Sequence, residues 1–325
     1  MENRRTWRWG VNRWLILLFI ILSVLAARAY PPVRPEVRLP AEHLSQTPLF
    51  SLPVIGDFYW TNTLTAMVIA DIIVLLIALV VRRATTSGNL LTTGFASAVE
   101  ALLEILYNLT ESTAGRYARK IFPYFATITI FVLIVNWMEL LPGVDSIGLI
   151  EHAEGEGYAV KQLAPGIATL IKDTGQYNLV AYVRVLSTDL NFTVALALIS
   201  VVMTQVIGIS ALGGSYFVKF FNAGGIFSKP VFGLIDFLVG LLEIVSEISK
   251  VLSFSFRLFG NLFAGTVLLF VIGYLVPVFA QSGVLLLEFF VGLIQAVIFG
   301  MLTMVFMSQA TQGHGEHGEE ATLKA

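Results

Sequence analysis

Residues 251–265, VLSFSFRLFGNLFAG, are almost wholly apolar, yet Arg257 stands in their middle. A guanidinium keeps its proton in proteins, so this position carries a permanent positive charge. It is not alone. Asp236, Glu243, Glu247, Lys250 and Arg257, with Ser246, Ser253 and Asn261, recur at spacings of three, four and seven. On a helix turning 100° per residue, Asp236, Glu243, Lys250 and Arg257 drift by only about 20° per step and form one stripe. Each charge near mid-bilayer costs ~2.5–3.5 kcal/mol, so such a stripe lines water or a partner protein rather than lipid, and its chemistry is ion handling. The plainer alternative puts Asp236 and Glu243 at a cytoplasmic interface, paired with Lys250. That alternative does not cover Arg257, which lies deepest and has no acid three or four residues away.

The composition supplies the membrane. Of 325 residues, 56% are hydrophobic and 13% charged, with 24 Phe, against roughly 45–50% and 25% in soluble domains. A net charge of −2 gives no basic excess for nucleic acid. The absence of Cys removes disulfides, thiolate catalysis and Cys-ligated metals. The reading is an all-α integral membrane protein of about five transmembrane helices, with no cofactor expected.

The elements that must carry the stripe follow from the apolar runs. Residues 1–29 combine Arg4, Arg5, Arg8 and Arg13, a short apolar run from Trp14 and Ala27-Arg28-Ala29, which describes a signal peptide or else an extra N-terminal helix. The membrane domain then covers residues 30–311, of which 30–60, rich in Pro and charge, are expected to be an external loop with little structure. The first span, Asn62–Val81, ends on Arg82-Arg83, which stays in the cytoplasm. Residues 84–120 place Val99, Leu102, Leu103, Leu106 and Leu109 at helical spacing among charges, an amphipathic helix on the cytoplasmic surface. Phe122–Leu141 returns outward, and about 47 residues with six acids form an external loop. Leu190–Leu212 runs inward to Lys219 and Lys229. From Pro230 to about Val276 there is no Pro to stop a helix, and about 45 residues would reach ~67 Å against a hydrocarbon core of ~30 Å. Such a helix either lies strongly tilted against protein or breaks at Gly260 or Gly265. After Pro277 and Ser282-Gly283, Val284–Ser308 completes a long helical hairpin, and residues 312–325 form a polar cytoplasmic tail.

The run from Ser253 to Gly265, with Arg257 and Asn261, closely resembles the signature of subunit a of F-type ATP synthases. Three further stretches agree in order: Asn136-Trp-Met-Glu139-Leu-Leu-Pro142, Ser187-Thr-Asp189-Leu-Asn191-Phe-Thr193, and Glu288 seven residues before Gln295. The resemblance covers roughly residues 45–311. It implies two offset aqueous half-channels beside a rotating ring of c subunits, each with one essential carboxyl group, in the inner (plasma) membrane of a prokaryote. The implied partners are that c ring, the peripheral-stalk b subunits, the rest of the ATP synthase, membrane lipid and the translocated proton, and no ATP chemistry falls on this chain. Arg257 would face the ring, favour the ionised carboxyl and block proton leakage. Asn261 and Gln295 would hydrogen-bond to the guanidinium or to water. Glu288 would relay protons on the external path, with Glu139, Asp189 and Asn191 nearer its mouth. Glu243, Glu247 and Ser246 would line the cytoplasmic side. The sequence departs from the common pattern in three places. Val251 rather than Pro follows Lys250, the external loop is longer, and Thr266 and Glu288 stand where some members carry an acid and a His.

Asp189 and Asn191 can also be read as helix-capping residues. His314 and His317 are too few and too flexibly spaced for a metal site, and the sequons at Asn108 and Asn191 read as chance. Asp71, within the first span, has no assigned role. A secondary transporter would also place charges at mid-membrane, but it should show paired inverted repeats, and one charged helix stands here without a counterpart. A membrane hydrolase would need a base, and none of His43, His152, His314 and His317 lies in an apolar span.

Overall fold

A computed structural model of the chain describes residues 9–29, 39–45, 47–53, 56–86, 94–220, 230–276 and 279–312. Among the described residues seven helices dominate: α1 Trp9–Ala29, α2 Asn62–Thr86, α3 Phe95–Ala114, α4 Ala118–Trp137, α5 Leu190–Leu212, α6 Pro230–Leu275 and α7 Phe279–Ala310. Five helical stretches are long and apolar enough to cross a membrane, namely Asn62–Ala84, Phe95–Leu140, Leu190–Phe217, Phe237–Leu275 and Ala280–Ala310. The chain is thus a mostly helical, multi-pass membrane protein. Arg13–Leu25 is a shorter apolar helix.

The chain divides into two compact units. The first comprises residues 1–65, 138–185 and 262–291; the second comprises 66–137, 186–261 and 292–325. The core of the second unit is built from Leu106 and Ala114 of α3, Ile121, Phe125 and Ala126 of α4, Ile207 of α5, and Met304 and Met307 of α7. The amphipathic reading of 84–120 holds in α3, whose Leu106 and Thr110 are buried while Glu100, Glu104 and Glu111 are exposed. A turn of 3₁₀ helix at Gly115–Tyr117, with Gly115 at φ +49°, separates α3 from α4. Small residues set the packing distances. A Cβ at Gly300 would overlap the Thr129 hydroxyl, and one at Gly292 would come within 3.1 Å of the Asn136 Cβ. Ser200 Oγ and Thr303 Oγ1 meet at 2.7 Å, a buried polar contact of the kind that fixes helices where lipid gives no hydrophobic drive.

Helix α6 runs unbroken for 46 residues, so neither Gly260 nor Gly265 interrupts it. With Val251 in place of Pro, every backbone N–H from that point on is available to the helical ladder. Its length, about 69 Å at 1.5 Å per residue, exceeds a ~30 Å hydrocarbon core more than twofold.

The first unit corrects one expectation. Residues 142–188 are not simply an external loop. After a short extended piece β3, Pro142–Asp145, strands β4 (Gly148–Ala164) and β5 (Ile167–Ala181) form a long antiparallel ribbon. Its turn is Pro165-Gly166 with Gly166 at φ +81°, a conformation that glycine adopts without a steric cost. Within 30–60, a small hairpin pairs β1 (Phe50–Leu52) with β2 (Gly56–Phe58) and stacks Phe50 on Phe58 at 4.8 Å. His314 and His317 lie outside the described residues.

Candidate functional site

In the second unit, α6 presents two unlike faces. Phe254 and Leu258 are buried, with the Phe254 ring 5.2 Å from Phe299 and 5.6 Å from Phe306. Ser253, Arg257 and Asn261, each four residues apart, are exposed on another face, together with Ser246, Ser249 and Phe256. The Arg257 guanidinium donates to Ser253 Oγ at 3.2 Å. Among the described residues no carboxylate pairs with it.

Gln295 is 3% exposed and donates its Nε2–H to the backbone carbonyl of Arg257 at 3.0 Å. Gln295 thus bonds to the backbone of Arg257 rather than to its guanidinium. Gln295 fixes the helix beneath the arginine, while Asn261 lies beside it on the same exposed face. One helical turn apart, an Arg and an Asn share a face without having to touch. Two turns before Arg257, Lys250 donates to Glu247 Oε1 at 2.9 Å, and its ammonium lies 4.8 Å from the Phe306 ring. Lys250 thus pairs with Glu247. Glu243 is part-buried, and the Asp236 side chain lies outside what is described.

The Asn136 motif proves to be a brace. Its Nδ2–H donates to the Gly292 carbonyl at 3.0 Å and its Oδ1 accepts from Ser187 Oγ at 2.6 Å, joining α4, α7 and the segment before α5. Asp189 caps α5, its Oδ1 accepting from the Asn191 backbone N–H at 2.9 Å, while the Asn191 side chain is exposed. The capping alternative holds for Asp189, whereas the Asn191 side chain takes no part in the cap. Asp71 faces outward from α2.

The first unit holds two buried acids that meet α6 at successive residues. Glu139, 6% exposed, accepts at Oε1 from Thr266 Oγ1 at 2.6 Å. Glu288, 4% exposed, lies against Gly265, where any Cβ would overlap its carboxyl group. The remaining oxygen of each, Oε2, is buried without a hydrogen-bond partner among the described residues. Two carboxyl groups taken out of water with an open acceptor apiece are suited to receiving protons or water. Gly265 closes the quoted motif and Thr266 follows it; the missing Cβ of the one and the hydroxyl of the other are what seat the two acids.

Just beyond Glu139 lies a group that the sequence reading did not single out. Asp145 sits at φ +57°, and its carboxyl faces Arg184 and the Val185 N–H, with Glu42 nearby. Arg184 Nη1 donates to the Pro40 carbonyl at 2.9 Å. Burial pushes the Asp145 carboxyl up from 3.8 to about 6 despite the lowering influence of Arg184. Among the described residues no group of His and acidic side chains could hold a metal ion.

Residues 64–308 match the family model described as ATP synthase A chain. The chain is 30% identical over 267 residues to ATP synthase subunit a of Mycobacterium bovis, covering 79% of this chain and 89% of that protein. It is 27% identical over 287 residues to ATP synthase subunit a of Rhodospirillum rubrum, covering 85% and 99%. With the arginine-bearing α6 and the paired buried acids in place, the match over most of its length shows that this chain belongs to the ATP synthase A chain family.

Proposed function

We propose that Arg257 is the fixed cation past which a ring of carboxyl-bearing c subunits turns, and that Glu139 and Glu288 pass protons toward it. The general function follows from the family: the chain provides the proton half-channels of the ATP synthase membrane sector. Nothing favours the secondary-transporter alternative. The observation that supports the residue assignment is the exposed guanidinium, which no carboxylate pairs with among the described residues. A cation left uncompensated on a membrane helix is costly unless an acid arrives from elsewhere, and a passing ring supplies one.

Each step uses a group with matching chemistry. A ring carboxyl that approaches the guanidinium is favoured in its ionised form, so it releases its proton on one side. After passing, it is protonated again from the Glu288 side before it meets lipid. One charge moving across 100 mV gains ~2.3 kcal/mol, similar to the cost of one ion at mid-membrane, so neutralisation before lipid contact is essential. The Glu247–Lys250 pair, with Glu243 and Ser246, suits the cytoplasmic outlet. The b subunits of the peripheral stalk are the other expected partners, and the C-terminus is assigned to the cytoplasm.

Arg257→Lys tests the reading. The ammonium keeps the charge but lacks the planar fork and can lose its proton when desolvated. ATP-driven proton pumping in inverted vesicles is expected to disappear while the complex still assembles. Coupled pumping at the normal rate would remove Arg257 from the role.

A further inference from the structure

We infer that the turn end of the β4–β5 ribbon, residues 160–169, inserts into the outer surface of a bilayer carrying acidic headgroups, aliphatic side chains between the lipids and Lys161 on their phosphates. Ten successive residues, Val160 to Thr169, are exposed. Among them Val160, Leu163 and Ile167 are 37%, 62% and 61% exposed, and Ala164, Pro165 and Ala168 extend the apolar character. Aliphatic groups at the tip of a tight hairpin have no fold-stabilising role there, because no described element covers them.

Charge and position together select lipid as the occupant. From Gly157 to Lys172 the ribbon contains no acid and two lysines, Lys161 and Lys172, whereas Glu151, Glu154, Glu156 and Asp173 all lie nearer its base. A basic, aliphatic tip on an acidic stem complements an anionic surface with an apolar interior. The level is set by Lys172, whose ammonium lies 5.9 Å from the ring of Tyr274, next to the last residue of the membrane-spanning α6. Tyrosines at helix ends mark the bilayer surface. The strands therefore pass the end of a spanning helix at headgroup height before they turn. The inference rests on α6 crossing the membrane and is independent of which residues carry protons.

The chain has no Cys, so a single one can be placed at will. Leu163→Cys and, separately, Ile167→Cys would be labelled with a polarity-sensitive dye in the assembled complex, reconstituted in phosphatidylcholine vesicles with or without phosphatidylglycerol. Glu151→Cys, exposed near the base of the stem, is the aqueous control. The expected result is a blue-shifted tip emission, quenched by nitroxide lipids and protected from iodide, more strongly with phosphatidylglycerol. Lys161→Glu should abolish that dependence on phosphatidylglycerol. Tip labels that behave like the stem control would overturn the inference. Labels shielded from both quenchers would also overturn it, assigning the tip to a protein partner instead.

Discussion

At the scale of single residues, the buried acids explain why Thr266 matters. Its hydroxyl has two acceptors, Glu139 Oε1 at 2.6 Å and the Leu262 carbonyl at 3.1 Å. In the proposed relay, holding Oε1 leaves Oε2 as the oxygen free to gain and release the proton. A hydrogen bond of this kind is worth roughly 0.5–1.5 kcal/mol, so removing the hydroxyl frees the carboxyl from its pose. Thr266→Val, nearly the same in volume, is expected to lower ATP-driven proton flux by tenfold or so, if the loss is about 1.4 kcal/mol, with the assembled complex intact on native gels. Thr266→Ser should restore most of the flux. Equal flux in the Val and Ser variants would show that the hydroxyl is not used. The arginine was legible because a charge in an apolar run is conspicuous. Gln295 was legible as a position but not as a contact, since sequence spacing cannot say whether a side chain meets a guanidinium or the carbonyl behind it.

At the scale of elements, α2, α4, α5, α6 and α7 were legible because membrane burial demands long apolar runs, and α3 by its amphipathic spacing, both visible without homologues. It could not decide whether α6 breaks. Gly265 suggested a break, whereas its role is to leave room for the Glu288 carboxyl. The ribbon was missed because its strands are solvated and irregularly alternating; the Pro165-Gly166 turn between β-branched residues was the available signal. The turn around β3 was missed for another reason: Asp145 and Arg184 are adjacent only in space. Its behaviour with pH follows from the raised carboxyl. An unfolded Asp has released its proton near pH 3.8, whereas the folded Asp145 keeps it to about pH 6. The folded turn binds more protons in that window, so its stability falls as pH rises from about 4 to about 6 and is level above it, by about 3 kcal/mol at most. Hydrogen exchange at residues 143–147 and 183–185, corrected for intrinsic rate, should therefore show protection declining across that window. Asp145→Asn should remove the slope, and an unchanged slope in that variant would place the titration elsewhere.

At the scale of the whole molecule, the charges flanking the spans support the proposed orientation, and the ribbon makes it testable. Arg82, Arg83, Arg116, Arg119, Lys120 and Lys219 all follow or precede spans on what the positive-inside rule makes the cytoplasmic side. The same orientation places β1–β2, the β4–β5 ribbon and the end of α6 outside, which agrees with Lys172 meeting Tyr274. Residues after α7 then fall inside. A Cys introduced at Gln312 should react with an impermeant maleimide only in inverted vesicles. One introduced at Asp173 should react only in right-side-out vesicles, and one at Arg83 should follow Gln312. Reaction of Gln312 and Asp173 from the same side would require an odd number of crossings to be lost between them. That is incompatible with the three apolar spans Leu190–Phe217, Phe237–Leu275 and Ala280–Ala310 all traversing the membrane.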